Sequence, residues 1–259
     1  MKTRNLLHLA LALLFSFPAA AQERELLVKA GDKIAFLGDS ITSLGARKRG
    51  FIGLVMDALP SKTLKLTSIP AGRAGNKSND MLARLDESVI SQEPDWMILS
   101  CGVNDVWHFT YASKTKEYTG ISLEEYKKNI RAIIDKAEAA DIKVMILTST
   151  MIGEDPERET NKKLAPYNEF LREIAKEKNL PLADVSQDMQ AAIEQMPDVE
   201  GEATMFGEPD YQRNIKNKLT TDGVHLNWLG NIMMAKGILK SFGLSEAKIH
   251  AAEQEWLAK

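Results

Sequence analysis

The chain has 259 residues, of which 44% are hydrophobic and 27% are charged, and its formal net charge is -3. This length is sufficient for one large domain with a well-buried core. The mildly acidic balance provides no basic stripe, so nucleic acid is not an expected partner. The single cysteine, Cys101, excludes an internal disulfide. Its place after an apolar run predicts a small buried side chain rather than a nucleophile.

The first 21 residues differ from the rest of the chain. Two basic residues precede an apolar run, Leu6 to Phe17, and three alanines, Ala19 to Ala21, follow it. This order predicts a secretory signal peptide, residues 1–21, that is cleaved before Gln22. The alternative is an N-terminal membrane anchor, but the run is shorter than the ~20 residues that a span requires. We therefore expect an exported protein, periplasmic or extracellular, with no membrane span and a single domain over residues 22–259.

Five apolar runs in the mature chain have the length and composition of strands that are buried on both faces. Stretches with helical spacing lie between them, so strands and helices alternate along the chain. This alternation predicts an α/β fold in which about five parallel strands form a doubly wound sheet. The predicted strands are Ile34–Leu37, Leu64–Ile69, Trp96–Cys101, Val144–Ser149 and Leu180–Val185.

Apolar residues recur at helical spacing in six stretches. The clearest start is a capping box, in which Ser122 is followed three residues later by Glu125. No internal repeat, low-complexity tract or linker interrupts the pattern, which agrees with a single domain. The predicted helices cover residues 81–89, 122–137, 164–178, 187–196, 229–242 and 245–257.

Two stretches, residues 107–121 and 197–221, fit neither the helical nor the strand period. Long irregular segments in a compact domain are usually functional or disordered. The first stretch follows the third predicted strand, and ligands of open α/β sheets bind at the carboxyl ends of strands. We therefore expect residues 107–121 to form one wall of a site, with Trp107 and His108 as candidate substrate contacts. The alternative for the aromatic residues is core packing.

A serine, a carboxylate and a histidine occur in two short segments near opposite ends of the chain. Gly38-Asp39-Ser40 follows the first predicted strand, and Asp222 precedes His225 by three residues. A local turn can bring the carboxylate to one imidazole nitrogen and leave the other nitrogen free to take a proton. Together these groups are the parts of a nucleophilic acyl-transfer site.

Elimination among the four histidines favours His225 as the base. His8 lies in the predicted signal peptide, and His250 lies in the last predicted helix, far from any strand end. His108 and His225 remain, and His225 follows a carboxylate by three residues, with Gly223 allowing a tight turn between them. Each segment alone also has a structural interpretation. Gly-Asp-Ser is a common strand-to-helix turn with a capping side chain, and Asp222 can cap a helix that begins beside a surface histidine.

Two further segments at predicted strand ends supply donors for an oxyanion, which an acyl-transfer site requires. Residues 71–76 follow the second strand and contain Gly72 and Gly75, and residues 102–105 follow the third and contain Asn104. A glycine N–H that a ligand can approach closely and an asparagine amide are suitable donors. The N–H of the serine at a helix start would be a third.

These four segments, in this order, resemble the conserved blocks of the SGNH hydrolases, also called the GDSL lipase/esterase family. The resemblance spans residues 38 to 225 and implies a three-layer α/β/α fold like that of flavodoxin. Cys101 and Pro70 are mild departures from the family pattern, and neither falls on a catalytic position. The matching segments are Gly38–Ser40, Gly72–Asn76, Gly102–Asp105 and Asp222–His225.

The resemblance implies Ser40 as the nucleophile, His225 as the general base and Asp222 as the carboxylate that orients the imidazole. It also implies an oxyanion hole formed by the N–H groups of Ser40 and Gly75 and by the side chain of Asn104. No cysteine–histidine cluster has zinc-site spacing, and no glycine-rich loop with a lysine indicates phosphate binding. We therefore expect no metal and no cofactor.

The sequence thus predicts an exported serine esterase that hydrolyses small acyl esters, with acetyl groups on carbohydrate as the expected substrate. The alternative enzyme is a lipase, lysophospholipase or thioesterase that acts on longer acyl chains. An alternative of another class is a catalytically silent carbohydrate-binding module. The neighbouring carboxylates, Asp39 and Asp105, are interpreted as structural. The expected partner is a small-molecule or glycan ester, and the oligomeric state stays open.

Overall fold

The structure, a computed structural model, describes residues 25–110, 120–205, 208–209 and 215–258. The predicted signal peptide, residues 1–21, lies outside these ranges, so the signal peptide and export stay predictions. Within the described ranges, no helix combines the length and the apolarity that a membrane crossing requires.

A parallel sheet of five strands runs through the centre of the molecule. Its strands are β1 (Lys33–Gly38), β2 (Thr67–Gly72), β3 (Trp96–Ser100), β4 (Lys143–Leu147) and β5 (Leu182–Ala183). They lie in the order β2-β1-β3-β4-β5, which is the flavodoxin-like order of a doubly wound sheet. Every residue of β3 is buried, and burial on both faces explains its uninterrupted apolar run. The predicted fold class is confirmed.

Helices cover both faces of this sheet and complete three layers. They are α1 (Ser40–Gly45), α2 (Phe51–Ala58), α3 (Ser61–Leu64), α4 (Ser78–Ala83), α5 (Leu85–Ser88), α6 (Val103–Thr110), α7 (Leu123–Ala139), α8 (Glu159–Glu177), α9 (Val185–Gln195), α10 (Trp228–Ser241) and α11 (Glu246–Leu257). On one face α10 packs against α2, α9 and α11, and on the other α7 packs against α4 and α8. The predicted cap of α7 is present, since Ser122 Oγ accepts a hydrogen bond from Glu125 N at 3.3 Å.

The second strand begins at Thr67, not at Leu64 as predicted. Leu64 instead ends α3, and Lys65 turns the chain with a φ of 55°. β2 lies at the edge of the sheet, where half-exposed residues weaken the apolar pattern that marks a strand. Pro70 pairs with Phe36 of β1 and is tolerated there because an edge strand can lack one N–H donor.

The prediction that residues 107–121 are irregular is wrong in its first part. α6 continues through Thr110, and residues 111–119 lie outside the described ranges. The helix begins before the stretch, and its buried residues Val103 and Val106 are too few for a periodicity to identify it.

The described residues of the stretch 197–221 are irregular as predicted, apart from short antiparallel pairings. β6 (Thr204–Met205) pairs antiparallel with β7 (Glu208–Pro209), and Glu200 bridges to Ile215. Residues 206–207 and 210–214 lie outside the description.

Candidate active site

The turn between β1 and α1 presents the predicted nucleophile at the carboxyl edge of the sheet. β1 ends at Gly38, and Ser40 is the first residue of α1. Asp39 caps this helix, because its Oδ1 accepts a hydrogen bond from Ile41 N at 2.9 Å. A Cβ atom at Gly38 would lie 2.0 Å from the hydroxyl oxygen of Thr42, so the close approach of strand and helix requires glycine.

His225 lies beside Ser40, although 185 residues separate them in the chain. Its Nε2 is 2.9 Å from Ser40 Oγ, and its Nδ1 is 2.7 Å from Asp222 Oδ2. Asp222 Oδ1 accepts hydrogen bonds from the N–H groups of Val224 and His225, at 3.1 and 2.8 Å. Gly223 makes this turn with a φ of 81°. The carboxylate therefore fits an imidazole that is protonated at Nδ1 and faces the serine hydroxyl with Nε2.

The contact between Asp222 and His225 shifts the pKa of each group in the direction that stabilises its charged form. The hydrogen bond to Asp222 raises the pKa of His225 above its ordinary value, and burial opposes this rise in part. Burial acts to raise the pKa of Asp222, but the hydrogen bonds from His225 outweigh it and the pKa is lowered. Burial raises the pKa of Asp39 to about 6. A base with a raised pKa is suited to take the serine proton.

Asn104 connects the serine turn to the glycine turn. Its Nδ2 donates to the carbonyl oxygen of Asn76 at 3.1 Å and lies 3.4 Å from Asp39 Oδ2. Gly75 adopts a φ of 77°, and within the described residues its N–H makes no hydrogen bond. The N–H of Ser40, at the first position of α1, has no acceptor in its own helix. Gly75 lies on a turn, Ser40 and Asn104 lie in the first turns of α1 and α6, and all three follow the carboxyl ends of parallel strands.

Arg84, which no sequence pattern marks, joins these two turns. Its Nη2 donates to the carbonyl oxygens of Gly38 at 3.0 Å and of Ala71 at 2.8 Å, and its Nε donates to Asn76 Oδ1. Burial lowers the pKa of Arg84, but a guanidinium keeps its proton in proteins, so the side chain stays charged. The only signal in the sequence is a cation within the apolar helical stretch 81–89.

Buried polar contacts stabilise the segment that contains Asn104. Asp105 Oδ1 accepts hydrogen bonds from Ser78 Oγ at 2.5 Å and from Ser78 N at 3.0 Å, and Asn129 Nδ2 donates to the same hydroxyl at 3.1 Å. Cys101 Sγ lies 3.5 Å from Asp105 Oδ2. Burial raises the pKa of this thiol well above its usual value, so the thiol stays protonated and unreactive. These contacts agree with the structural interpretation of Asp105 and Cys101.

The candidate substrate contacts, Trp107 and His108, lie on α6 in the turn after Asn104, and both are half-buried. Trp107 packs in part against the hydrophobic core, which is the alternative to a substrate platform. Contact with substrate stays a prediction for both residues. Over the described ranges, no group of three or more His, Cys, Asp or Glu side chains is arranged to hold a metal ion.

Serine hydrolases have a serine hydroxyl, an imidazole and a carboxylate that are linked in series by hydrogen bonds, as these three groups are. A model of the GDSL-like Lipase/Acylhydrolase family matches residues 36–231. The chain belongs to this family and is a carboxylic ester hydrolase. The predicted family and enzyme class are confirmed, whereas the roles of the individual site residues stay predictions.

The chain is similar to several acetylxylan esterases. It is 27% identical over 232 residues to the acetylxylan esterase of Geobacillus stearothermophilus, which covers 83% of this chain and 96% of that protein. The crystal structure of the acetyl xylan esterase AlAXEase is 32% identical, with a TM-score of 0.67 over 81% of this chain and 98% of that one. A crystal structure of an acetylxylan esterase from Geobacillus stearothermophilus is 23% identical, with a TM-score of 0.68, and shows the shared fold over 85% and 97% of the two chains.

Proposed function

We propose that the protein is an exported serine esterase that removes acetyl groups from carbohydrate. The proposal rests on the continuous line of hydrogen bonds from Asp222 through His225 to Ser40, with distances of 2.7 and 2.9 Å. The relatives support the substrate, because the protein that is 32% identical over 81% of this chain is an acetyl xylan esterase. The leader-like sequence of residues 1–21 supports export.

In the first half-reaction, Ser40 Oγ attacks the carbonyl carbon of the acetyl ester while His225 Nε2 takes the hydroxyl proton. Asp222 stabilises the imidazolium that forms, because its Oδ2 accepts the hydrogen bond from Nδ1. The carbonyl oxygen gains the negative charge, and the N–H groups of Ser40 and Gly75 and the Asn104 amide donate hydrogen bonds to it. Backbone turns fix two of these donors before the substrate binds.

The tetrahedral intermediate then collapses. The bond between the acetyl carbon and the sugar oxygen breaks, and His225 gives its proton to that oxygen. The acetyl group stays on Ser40 until a water molecule attacks it, and His225 takes a proton from this water. A second collapse releases acetate, and His225 returns the proton to the serine oxygen.

Acetate release from acetylated xylan and acetylated xylooligosaccharides tests the proposal. We expect release by the wild-type protein, none by Ser40→Ala, and full release by Ser43→Ala, a matched serine in the same helix. On p-nitrophenyl esters we expect a preference for the acetyl group. A preference for acyl chains of about eight carbons or longer would instead favour a lipase or thioesterase. Hydrolysis of no ester at all would favour the silent binding module.

A further inference from the structure

Glu154, a buried carboxylate in the loop between β4 and α8, is only 4% exposed and binds the backbone that leads into Asp222. Its Oε1 accepts hydrogen bonds from Leu219 N and Thr220 N, both at 2.8 Å, and from the Thr220 hydroxyl at 2.7 Å. Its Oε2 accepts a hydrogen bond from Lys218 N at 2.6 Å. One side chain therefore holds three consecutive residues.

The same backbone is held at a second point, next to the predicted catalytic carboxylate. Gly153 N donates to the carbonyl oxygen of Gly223 at 2.8 Å. The Thr220 hydroxyl, which donates to Glu154, accepts a hydrogen bond from Gly223 N at 3.1 Å. Gly223 follows Asp222 directly, so only two hydrogen bonds separate Glu154 from the turn that carries the acid and the base.

The donors to the Glu154 carboxylate are all neutral: three backbone N–H groups and one hydroxyl. Within the described ranges, no cation forms an ion pair with it. Lys218 directs its Nζ elsewhere, to the carbonyl oxygens of Ile193 and Met196 at 2.8 and 2.7 Å and to Asp198 at 2.7 Å. Hydrogen bonds to an ionised acceptor are roughly twice as strong as neutral ones. Removing the carboxylate would leave three N–H groups without their acceptor, so this anchor has no substitute in the loop.

We infer that Glu154 is a positioning residue for the acid–base pair: it holds residues 218–223 so that Asp222 and His225 stand in line with Ser40. The inference rests on the proposed function, because it assigns Glu154 a part in that reaction. Glu154 does not touch the reacting atoms and acts through the backbone. A shift of about 1 Å in a catalytic group can cost on the order of 100-fold in rate, so a fixed loop has a direct kinetic consequence.

Three variants separate positioning from general stability. Glu154→Gln keeps an acceptor oxygen but removes the charge, Glu154→Ala removes the anchor, and Thr220→Val removes only the hydroxyl that links Glu154 to Gly223. Reacting sites are counted by titration with a fluorophosphonate, so that rates on p-nitrophenyl acetate refer to folded enzyme. The readouts are kcat, KM, the pH profile of kcat/KM and Tm.

Asp32→Asn is the matched control. Asp32 is also a buried carboxylate, and its Oδ2 accepts hydrogen bonds from Lys29 N at 2.8 Å and from Trp96 Nε1 at 3.1 Å. It precedes β1, at the opposite edge of the sheet from Ser40. We expect this variant to lower Tm while kcat per reacting site and the pH profile stay at wild-type values.

For the test variants we expect kcat per site to fall roughly 10-fold in Glu154→Gln and roughly 100-fold in Glu154→Ala, with little change in KM. In Thr220→Val we expect kcat per site to fall several-fold. The acid limb of kcat/KM should move to lower pH, because a looser contact with Asp222 raises the pKa of His225 less. Asp39, the other charged group that raises this pKa, is unchanged in all variants.

The inference is overturned if the Glu154 variants lower only Tm, as Asp32→Asn does, and keep the wild-type kcat per site and acid limb. If Ser40→Ala still hydrolyses the ester, the proposed function fails. This result is distinct from an unchanged kcat in the Glu154 variants, which would overturn only the positioning role. If Glu154→Ala does not fold, Glu154→Gln and Thr220→Val decide the question by the same readouts.

Discussion

The two halves of the candidate site are supported in different ways. The serine half, with Ser40 and Asn104, lies within a few residues of strand ends, so the sheet sets its position and Arg84 links its turns. The acid–base half, Asp222–His225, follows the irregular stretch 197–221 and is anchored by Glu154 from another loop. A strand end positions a side chain by its own regular structure, whereas a loop needs a separate anchor.

The two halves also differ in the burial of their carboxylate and amide side chains, whereas Ser40 itself is half-buried. In the serine half, the side chains of Asp39 and Asn104 are buried, and Asn104 Nδ2 lies 3.1 Å from Asn76 O and 3.4 Å from Asp39 Oδ2. In the acid–base half, the side chains of Asp222 and His225 are each 23% exposed. Changes in the serine half should therefore act on fixed donors and on stability, and changes in the acid–base half should act on proton transfer and on its pH dependence.

Asp222→Asn tests the acid–base half and should have the largest effect of these predictions. The amide cannot accept from Nδ1 as a carboxylate does, so kcat on p-nitrophenyl acetate should fall on the order of 10⁴-fold. Catalysis needs neutral His225, whose pKa Asp222 raises. In the variant the acid limb of kcat/KM should therefore shift to lower pH. Near wild-type activity would mean that another group fixes the imidazole.

Asn104→Ala tests the serine half. Loss of one oxyanion donor should lower kcat by on the order of 10²–10³-fold and leave the acid limb in place, since the base is untouched. Asn168→Ala is the matched control, because Asn168 is also a buried amide but its Nδ2 donates to Ser149 O and Ser186 Oγ, outside the network of Ser78 and Asp105. An equal loss of kcat in both variants would show that Asn104 acts through packing.

Arg84→Met tests how the serine half is held together and should have the smallest kinetic effect. The change leaves the carbonyl oxygens of Gly38 and Ala71 without their charged donor, which should cost about 3 kcal/mol in the free energy of unfolding. Urea unfolding measures this loss. Arg131→Met, which breaks an exposed pair with Glu177, should leave the midpoint unchanged. Equal stability of both variants would contradict the role of Arg84.

The same contrast explains how much of the site could be predicted from the sequence. The serine turn and the segment Asp222–His225 each act through contacts over a few residues, so their patterns are visible in the chain. Arg84 binds strand ends 46 and 13 residues away, and Glu154 binds Thr220 at a distance of 66 residues. Because only the fold brings these partners close to Arg84 and Glu154, no local sequence pattern identifies the two residues.

The fold followed from the sequence where burial is strongest. The strand over Ile34–Leu37 was located by its apolar run, because both of its faces are covered. β2 begins three residues later than its apolar run predicts, because an edge strand needs less apolar character and its sequence marks it poorly. The first part of the stretch 107–121 shows no helical pattern in the sequence because α6 is short and begins before it.

The central claim, that His225 activates Ser40 as the nucleophile, is tested most directly by covalent labelling. The protein is treated with a fluorophosphonate, and the modified residue is located by mass spectrometry of its peptides. We predict a single label per molecule on Ser40 in the wild-type protein and a large loss of labelling in His225→Ala. A label on another residue, or equal labelling of the two proteins, would contradict the claim.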